Sequence, residues 1–218
     1  MRIGVLGSGR VGRTLGQAFA ERGHPVVLGT RRADDPELRG WAGGCGVHLA
    51  SVAGAAAQAE VAVNATAGVA SVEVLQAVSE DLAGTVLIDV ANPLDFSRGF
   101  PPSLTVPSTD SLAERIQAVL PRTDVVKALS TVTAAVMVDP ARVPGEHHLP
   151  IAGNDPEAKA TVRGLLVGLG WPESSLLDLG DLSAARGMEA YLLLWVRLMG
   201  AIGSPVFNLR VVGEESGL

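Results

Sequence analysis

The strongest constraint on the fold is a series of short apolar runs, at 2–6, 25–30, 61–66, 85–93 and 124–132, none of which alternates apolar with polar residues. A strand with one solvated face must alternate, so each of these runs is read as a strand covered on both sides. Segments with helical periodicity separate them: 10–23, 51–59, 72–84 and 111–121, the last with Ser111 as a cap. Strand alternating with helix specifies a mainly parallel sheet wrapped by helices, with right-handed crossovers and the first two strands as neighbours. Between them, 33–46 reads as loop around a short helix, and the Pro- and Ser-rich 95–109 as an ordered loop over the carboxyl edge of the sheet.

Past residue 145 the rhythm changes. Short runs at 148–154 and 176–181 flank a helix at 155–170, a long apolar helix follows at 182–202, and a last short run, VFNLRVV, covers 206–212. The expected organisation is a nucleotide-binding unit over 1–145 and a smaller C-terminal part over 146–218, for substrate binding or dimerisation. Hydrophobic residues at 47% and charged residues at 18% suit a largely buried sheet. A net charge of −6 argues against a nucleic-acid partner. A single cysteine, Cys45, excludes an internal disulfide, and an opening strand in place of a leader gives a cytoplasmic expectation. AYLLLWVRLMGAIG is too short to span a bilayer and carries Arg197, so no membrane role is expected.

Between the first run and the first helix stands Gly7-Ser8-Gly9-Arg10-Val11-Gly12, a G-x-G-x-x-G in its required context. Gly7 permits the tight turn, Gly9 leaves room for a pyrophosphate, and Gly12 lets helix and strand pack closely. The helix amino terminus offers free N–H groups to phosphate oxygens. The fold class is therefore α/β, a Rossmann-type doubly wound, mainly parallel sheet with a small C-terminal α/β extension and a long apolar helix.

Dinucleotide sites usually carry an acid at the end of the second strand, where it bonds the adenosine ribose and repels a 2′-phosphate. This chain has Thr30-Arg31-Arg32 there, a hydroxyl and two guanidinium groups suited to charge-assisted bonds with a phosphate. NADP(H) is thus favoured over NAD. The competing reading is that both arginines solvate a loop beside Asp34 and Asp35. Asn64, Ala65 and Thr66 end the third run and Asn92 the fourth, and parallel strands bring these ends to the same crevice. Ser130, Thr131, Val132 and Ala134 follow the fifth run and are expected near the nicotinamide.

Weaker candidates fall away. His147-His148 has no partner at metal spacing and reads as a solvated turn, so no metal is expected. Ser8 lacks the context of a nucleophile. Asp89, inside an apolar run, needs a bond to backbone or to a hydroxyl.

Taken together, MRIGVLGSGRVG, VVLGTRRADD, DVVKALSTV, IAGNDPEAK and LLDLGDLSAARGMEAYLLLWVRLMG resemble the NADP-dependent reductases of the deazaflavin coenzyme F420, whose nucleotide domain is shared by the six-transmembrane metalloreductases. The resemblance runs over nearly the whole chain. It implies a Rossmann domain whose C-terminal part helps form a second cofactor's pocket, commonly as a homodimer. It also implies pyrophosphate at Gly7 to Gly12, the 2′-phosphate at Thr30, Arg31 and Arg32, and the nicotinamide end at Ser130 to Ala134. The chain departs from the family pattern at Ser130, where a histidine is expected, and at Ala190, Tyr191 and Leu192, where hydroxyls are. Those positions bear on the second substrate.

Hydride transfer between stacked rings needs positioning and water exclusion more than a protein acid or base, so no catalytic side chain is nominated. The second substrate is expected to be an F420-type deazaflavin or a flavin, touched by Ser130, Thr131, Tyr191 and Leu192. For a small carbonyl or imine a proton donor would be needed, and Tyr191 or Thr131 is the first choice. A different class stays open: an NADPH-binding sensor without turnover. A helix apolar on every face must be buried on more than one side, so a homodimer covering Leu193, Trp195 or Met199 is also expected.

Overall fold

The structure, a computed structural model, describes residues 1–213. The elements follow in the order β1 (Ile3–Leu6), α1 (Arg10–Glu21), β2 (Val26–Gly29), α2 (Pro36–Cys45), β3 (His48–Ala50), α3 (Val52–Ala56), β4 (Val61–Asn64), α4 (Gly68–Gln76) and β5 (Val86–Asp89). Then come β6 (Leu94–Asp95), β7 (Ser103–Leu104), α5 (Leu112–Val119), β8 (Asp124–Lys127), α6 (Ala134–Val138), β9 (Leu149–Gly153), α7 (Pro156–Gly168), β10 (Leu176–Asp178) and α8 (Ala185–Ile202).

Eight strands form one sheet in the order β10-β9-β8-β5-β4-β1-β2-β3. The six from β8 to β3 are mutually parallel, with Ile3 to Leu6 in register with Val26 to Gly29 on one side and Val61 to Asn64 on the other. The uninterrupted apolar runs are explained by burial: β1 and β4 are buried at every residue, and helices pack on both faces. At β8 the direction changes. β9 runs antiparallel to β8 and β10 parallel to β9, so the C-terminal runs extend the same sheet.

Several local features are richer than the sequence reading. Region 33–46 holds a ten-residue helix, α2, with Asp35 capping it through bonds from Glu37 N and Leu38 N, Pro36 in its first turn and left-handed Gly46 ending it. β3 follows, three residues long and too short for a periodicity to show. The loop at 95–109 carries all but Leu94 of the small β6–β7 hairpin, and α6 forms after the fifth run. VFNLRVV makes no strand; it runs irregularly beside β9, with His148 N donating to Leu209 O at 2.9 Å. His147 is not a solvated turn residue. It is 7% exposed, packed edge-on against Trp171, and its ring nitrogens meet Pro140 O at 3.1 Å and Asn208 Nδ2 at 3.0 Å.

The long helix begins with a 3-10 turn at Leu182–Ala184 and continues as α8. Ala185, Met188, Leu192 and Val196 recur at helical spacing on its buried face. Its other face is not covered by the described residues: Leu193, Leu194 and Ile202 are 43%, 53% and 54% exposed. No described helix is long and apolar enough to cross a membrane.

Under the carboxyl edge lies a buried ionic cluster. Lys127 Nζ donates to Asp89 Oδ2 at 2.8 Å, Glu189 Oε1 at 2.9 Å and Ala91 O at 2.5 Å, one acceptor for each of its three hydrogens. Glu189 also accepts from Leu112 N at 2.8 Å and Ala113 N at 3.2 Å, the first N–H groups of α5. Asp89 was expected to bond backbone or a hydroxyl. Ala91 N does reach it at 3.2 Å, but its main partners are Lys127 and the Asn64 amide, at 2.8 Å each. Burial alone would push the Lys127 ammonium's pKa down; the two carboxylates outweigh that and hold it above the usual lysine value.

Removing one member of a buried ion cluster leaves its partners uncompensated. Lys127→Met, which keeps the volume and deletes the charge opposite Asp89 and Glu189, is expected to lower stability by about 3–5 kcal/mol, read from the urea midpoint at unchanged slope. A loss within about 0.5 kcal/mol, the size of an ordinary surface change, would show that the cluster holds little together.

Candidate functional site

Because β1, β4, β5 and β8 are parallel, the residues after them emerge along one edge of the sheet. β1 lies between β2 and β4, so the chain order reverses there and leaves a crevice. Two adjoining cavities of about 460 Å³ each occupy it, with Ala65, Thr66 and Ala67 lining both.

The first cavity is bounded by Gly7, Ser8, Gly9, Thr30, Arg31 and Arg32. Gly7 has φ +116°, and a Cβ on it would run into the Ala65 carbonyl oxygen. A Cβ on Gly12 would overlap the Gly7 carbonyl, so helix and turn can only pack this closely around glycine. Gly9 differs. It has an ordinary extended backbone and a Cβ there would meet no protein atom within 4 Å, so the open space beside it suits a group from outside the chain. α1 starts without a side-chain cap and without an acid in its first turn, leaving its N–H groups and positive dipole end available to an anion. These features fit a pyrophosphate.

At the end of β2, Thr30 is 6% exposed and its Oγ1 lies 2.8 Å from Ser8 Oγ while accepting from Arg32 N at 3.1 Å. That pair ties the strand end to the glycine turn. The acids that could have damped the arginines are engaged: Asp34 pairs with Arg39, and Asp35 caps α2 and meets Arg32 at 3.3 Å. Arg31 is exposed and makes no side-chain hydrogen bond or ion pair among the described residues, so its guanidinium faces the cavity mouth uncommitted.

Asn64 lies beneath the cavity floor, fully buried. Its amide donates to Asp89 Oδ1 at 2.8 Å and Ser71 Oγ at 3.2 Å, and accepts from Thr66 Oγ1 at 2.6 Å and Thr66 N at 3.2 Å. With every polar atom in use, it orients the turn that carries Ala65 and Thr66.

The second cavity runs on toward β8 and α8. Arg10 and Val11 of α1 border it, with Asn92, Ser130, Thr131, Val132 and Ala134 from the strand ends and Leu192 and Trp195 from α8. Leu129, just before Ser130, has φ +61°, a left-handed conformation that costs a non-glycine residue about 1–3 kcal/mol and tends to persist at functional turns. The turn is pinned by Asn92 Nδ2 donating to Ser130 O at 2.8 Å. Asn92 Oδ1, Ser130 Oγ, Thr131 Oγ1 and Trp195 Nε1 are buried and have no hydrogen-bond partner among the described residues. Buried polar groups are almost always paired. Four such atoms lie around this one cavity.

Tyr191 does not line either cavity; its hydroxyl is also buried without a partner among the described residues, and burial pushes it up to about 12, so it keeps its proton through neutral pH. Trp195 entered the sequence reading as an interface residue, and the structure places it on the cavity wall. Lys127 and Glu189 were not singled out at all. Glu189 interrupts the apolar face of α8 between Met188 and Leu192, a pattern that signals a buried charge once the helix orientation is known.

Comparison with known proteins agrees with this geometry. Residues 2–93 match the family model described as NADP oxidoreductase, coenzyme F420-dependent. The chain is 31% identical to Metalloreductase STEAP3 of Rattus norvegicus over 87% of its own length and 36% of that protein's. It is 30% identical to the F420-dependent NADP reductase of Methanocaldococcus jannaschii over 65% of its own length and 62% of that protein's. It thus spans about a third and about three fifths of these curated relatives. A crystal structure of a candidate F420-dependent NADP-reductase from Arthrobacter sp. FB24 superposes with a TM-score of 0.93 at 47% identity, covering 98% of this chain and all of that one. A relative this similar over both full lengths, on a Rossmann-type sheet carrying the glycine turn, establishes that the chain belongs to the family of coenzyme F420-dependent NADP oxidoreductases.

Proposed function

We propose that the protein passes a hydride between NADP(H), held in the first cavity, and a planar ring acceptor, an F420-type deazaflavin or a flavin, held in the second. The observation that carries this reading is the continuity of the two cavities across Ala65, Thr66 and Ala67, with cations at one end and unpaired polar atoms at the other. Bound NADPH would supply a hydride from its nicotinamide, leaving NADP⁺, while the reduced acceptor takes that hydride and one proton from solvent. Gly9 and the α1 amino terminus receive the pyrophosphate, and Thr30, Arg31 and Arg32 the 2′-phosphate. Val11, Val132, Ala134 and Met137 supply an apolar lining that keeps water from the reacting face. The residues lining the second cavity include no carboxylate, histidine or lysine, which suits direct hydride transfer. The test is a screen of NADPH oxidation against F420 and free flavins.

The cofactor assignment has its own test. Arg31→Ala is expected to raise the Kd for NADPH by a factor corresponding to about 1.5–3 kcal/mol, the value of a hydrogen bond to a charged group, with far less effect on NADH. Equal weakening of both cofactors would remove the 2′-phosphate from this strand end.

We also propose that a second copy of the chain covers the outer face of α8, where Leu193, Leu194 and Ile202 stand exposed at helical spacing. Light scattering at tens of micromolar is expected to give a dimer and Leu194→Glu a monomer. A monomeric wild type would contradict this.

A further inference from the structure

Trp195 has a buried indole N–H with no partner among the described residues, on a wall that the proposed hydride transfer leaves without a role. An indole N–H can only donate. The ring cannot easily turn to find another partner, because it stacks on Phe207 with centroids 5.3 Å apart and planes at 19°. Phe207 is itself 8% exposed, and the next residue fastens the segment to the start of β9: Asn208 Nδ2 donates to His148 O at 2.8 Å, and Leu209 O accepts from His148 N at 2.9 Å. The donor is therefore held in position before any ligand arrives.

The polar atom at the strand-end side of the cavity has the opposite character. Asn92 Nδ2 is committed to Ser130 O, a group that can only accept, so the free Asn92 atom is the acceptor Oδ1. The contents of the cavity must therefore offer a donor toward Asn92 and an acceptor toward Trp195. A nicotinamide carboxamide can satisfy Asn92 with its NH₂. With the carboxamide turned to Asn92, the second ring is left to supply the acceptor for Trp195.

We infer that Trp195 is a specificity-determining residue: its indole N–H donates to a carbonyl oxygen of the hydride acceptor. The site thereby selects rings with a carbonyl-bearing edge, as in the pyrimidinedione of a deazaflavin or flavin, over rings of similar size without one. This rests on the reading that the second cavity holds the acceptor.

Trp195→Phe keeps an aromatic ring to stack on Phe207 and deletes the N–H. Steady-state NADPH oxidation by wild type and variant is compared with F420, FMN and the carbonyl-free phenazine methosulfate as acceptors, each rate taken net of the direct oxidation of NADPH by that acceptor without protein. The variant should lose about tenfold more kcat/KM with F420 or FMN than with phenazine methosulfate, through KM, a ratio equivalent to about 1.4 kcal/mol. The Kd for NADPH should stay as it was. An equal loss with all three acceptors, or a matching rise in the NADPH Kd, would overturn the assignment. A wild type that reduces neither F420 nor FMN would instead refute the acceptor reading. The role of Trp195 is then decided by the ¹⁵N–¹H indole resonance that Trp195→Phe removes: a downfield move when F420 or FMN is added to the NADP⁺-saturated protein supports it, and an unmoved resonance overturns it.

Discussion

The site depends on one buried ammonium. Lys127 binds Asp89 on the neighbouring strand, Glu189 on α8 and the carbonyl of Ala91, and so fixes two strand ends and the last helix relative to one another. Glu189 passes the constraint on to α5 by accepting from its first N–H groups, and Asp89 passes it to β4 through Asn64. Such a cluster carries a large desolvation cost, and apolar residues of similar volume could fill the space as stably. Its contribution is geometric: the polar bonds have one satisfactory arrangement, and that arrangement sets where α8 stands over the second cavity.

The first cavity is shaped by different means. There the chain avoids side-chain bulk: Gly7 and Gly12 let β1, α1 and the β4 turn approach, and Gly9 leaves open space. The Ser8–Thr30 contact then links the glycine turn to the strand end that carries Arg31. One half of the crevice is thus shaped by close backbone packing and the other by a charge cluster, and Ala65 and Thr66 belong to both.

Much of this was legible in the sequence because it rests on local pattern. Runs without alternation reported strands buried on both faces, and G-x-G-x-x-G followed by Thr30-Arg31-Arg32 is contiguous with the elements that display it. The missing parts are those whose signal is short or distant. β3 has three residues, and the left-handed turn at Leu129 carries no glycine to mark it. The Lys127–Asp89–Glu189 cluster joins residues 38 and 62 positions apart, and nothing in a single sequence pairs them. His147 looked like a turn residue because its partners, Pro140, Trp171 and Asn208, come from three separate segments. Trp195 was visible as an apolar helix residue, but which face it occupied depended on Glu189 finding its partners.

In the proposed reaction a hydride crosses directly from the cofactor in one cavity to a ring in the other. Single-turnover reduction of F420 by NADPH deuterated at one C4 position, then at the other, tests it most directly. The label from one position only is expected to appear on the reduced acceptor, with a primary isotope effect and no exchange with water. Label lost to solvent, taken from both positions, or absent from the acceptor would contradict it.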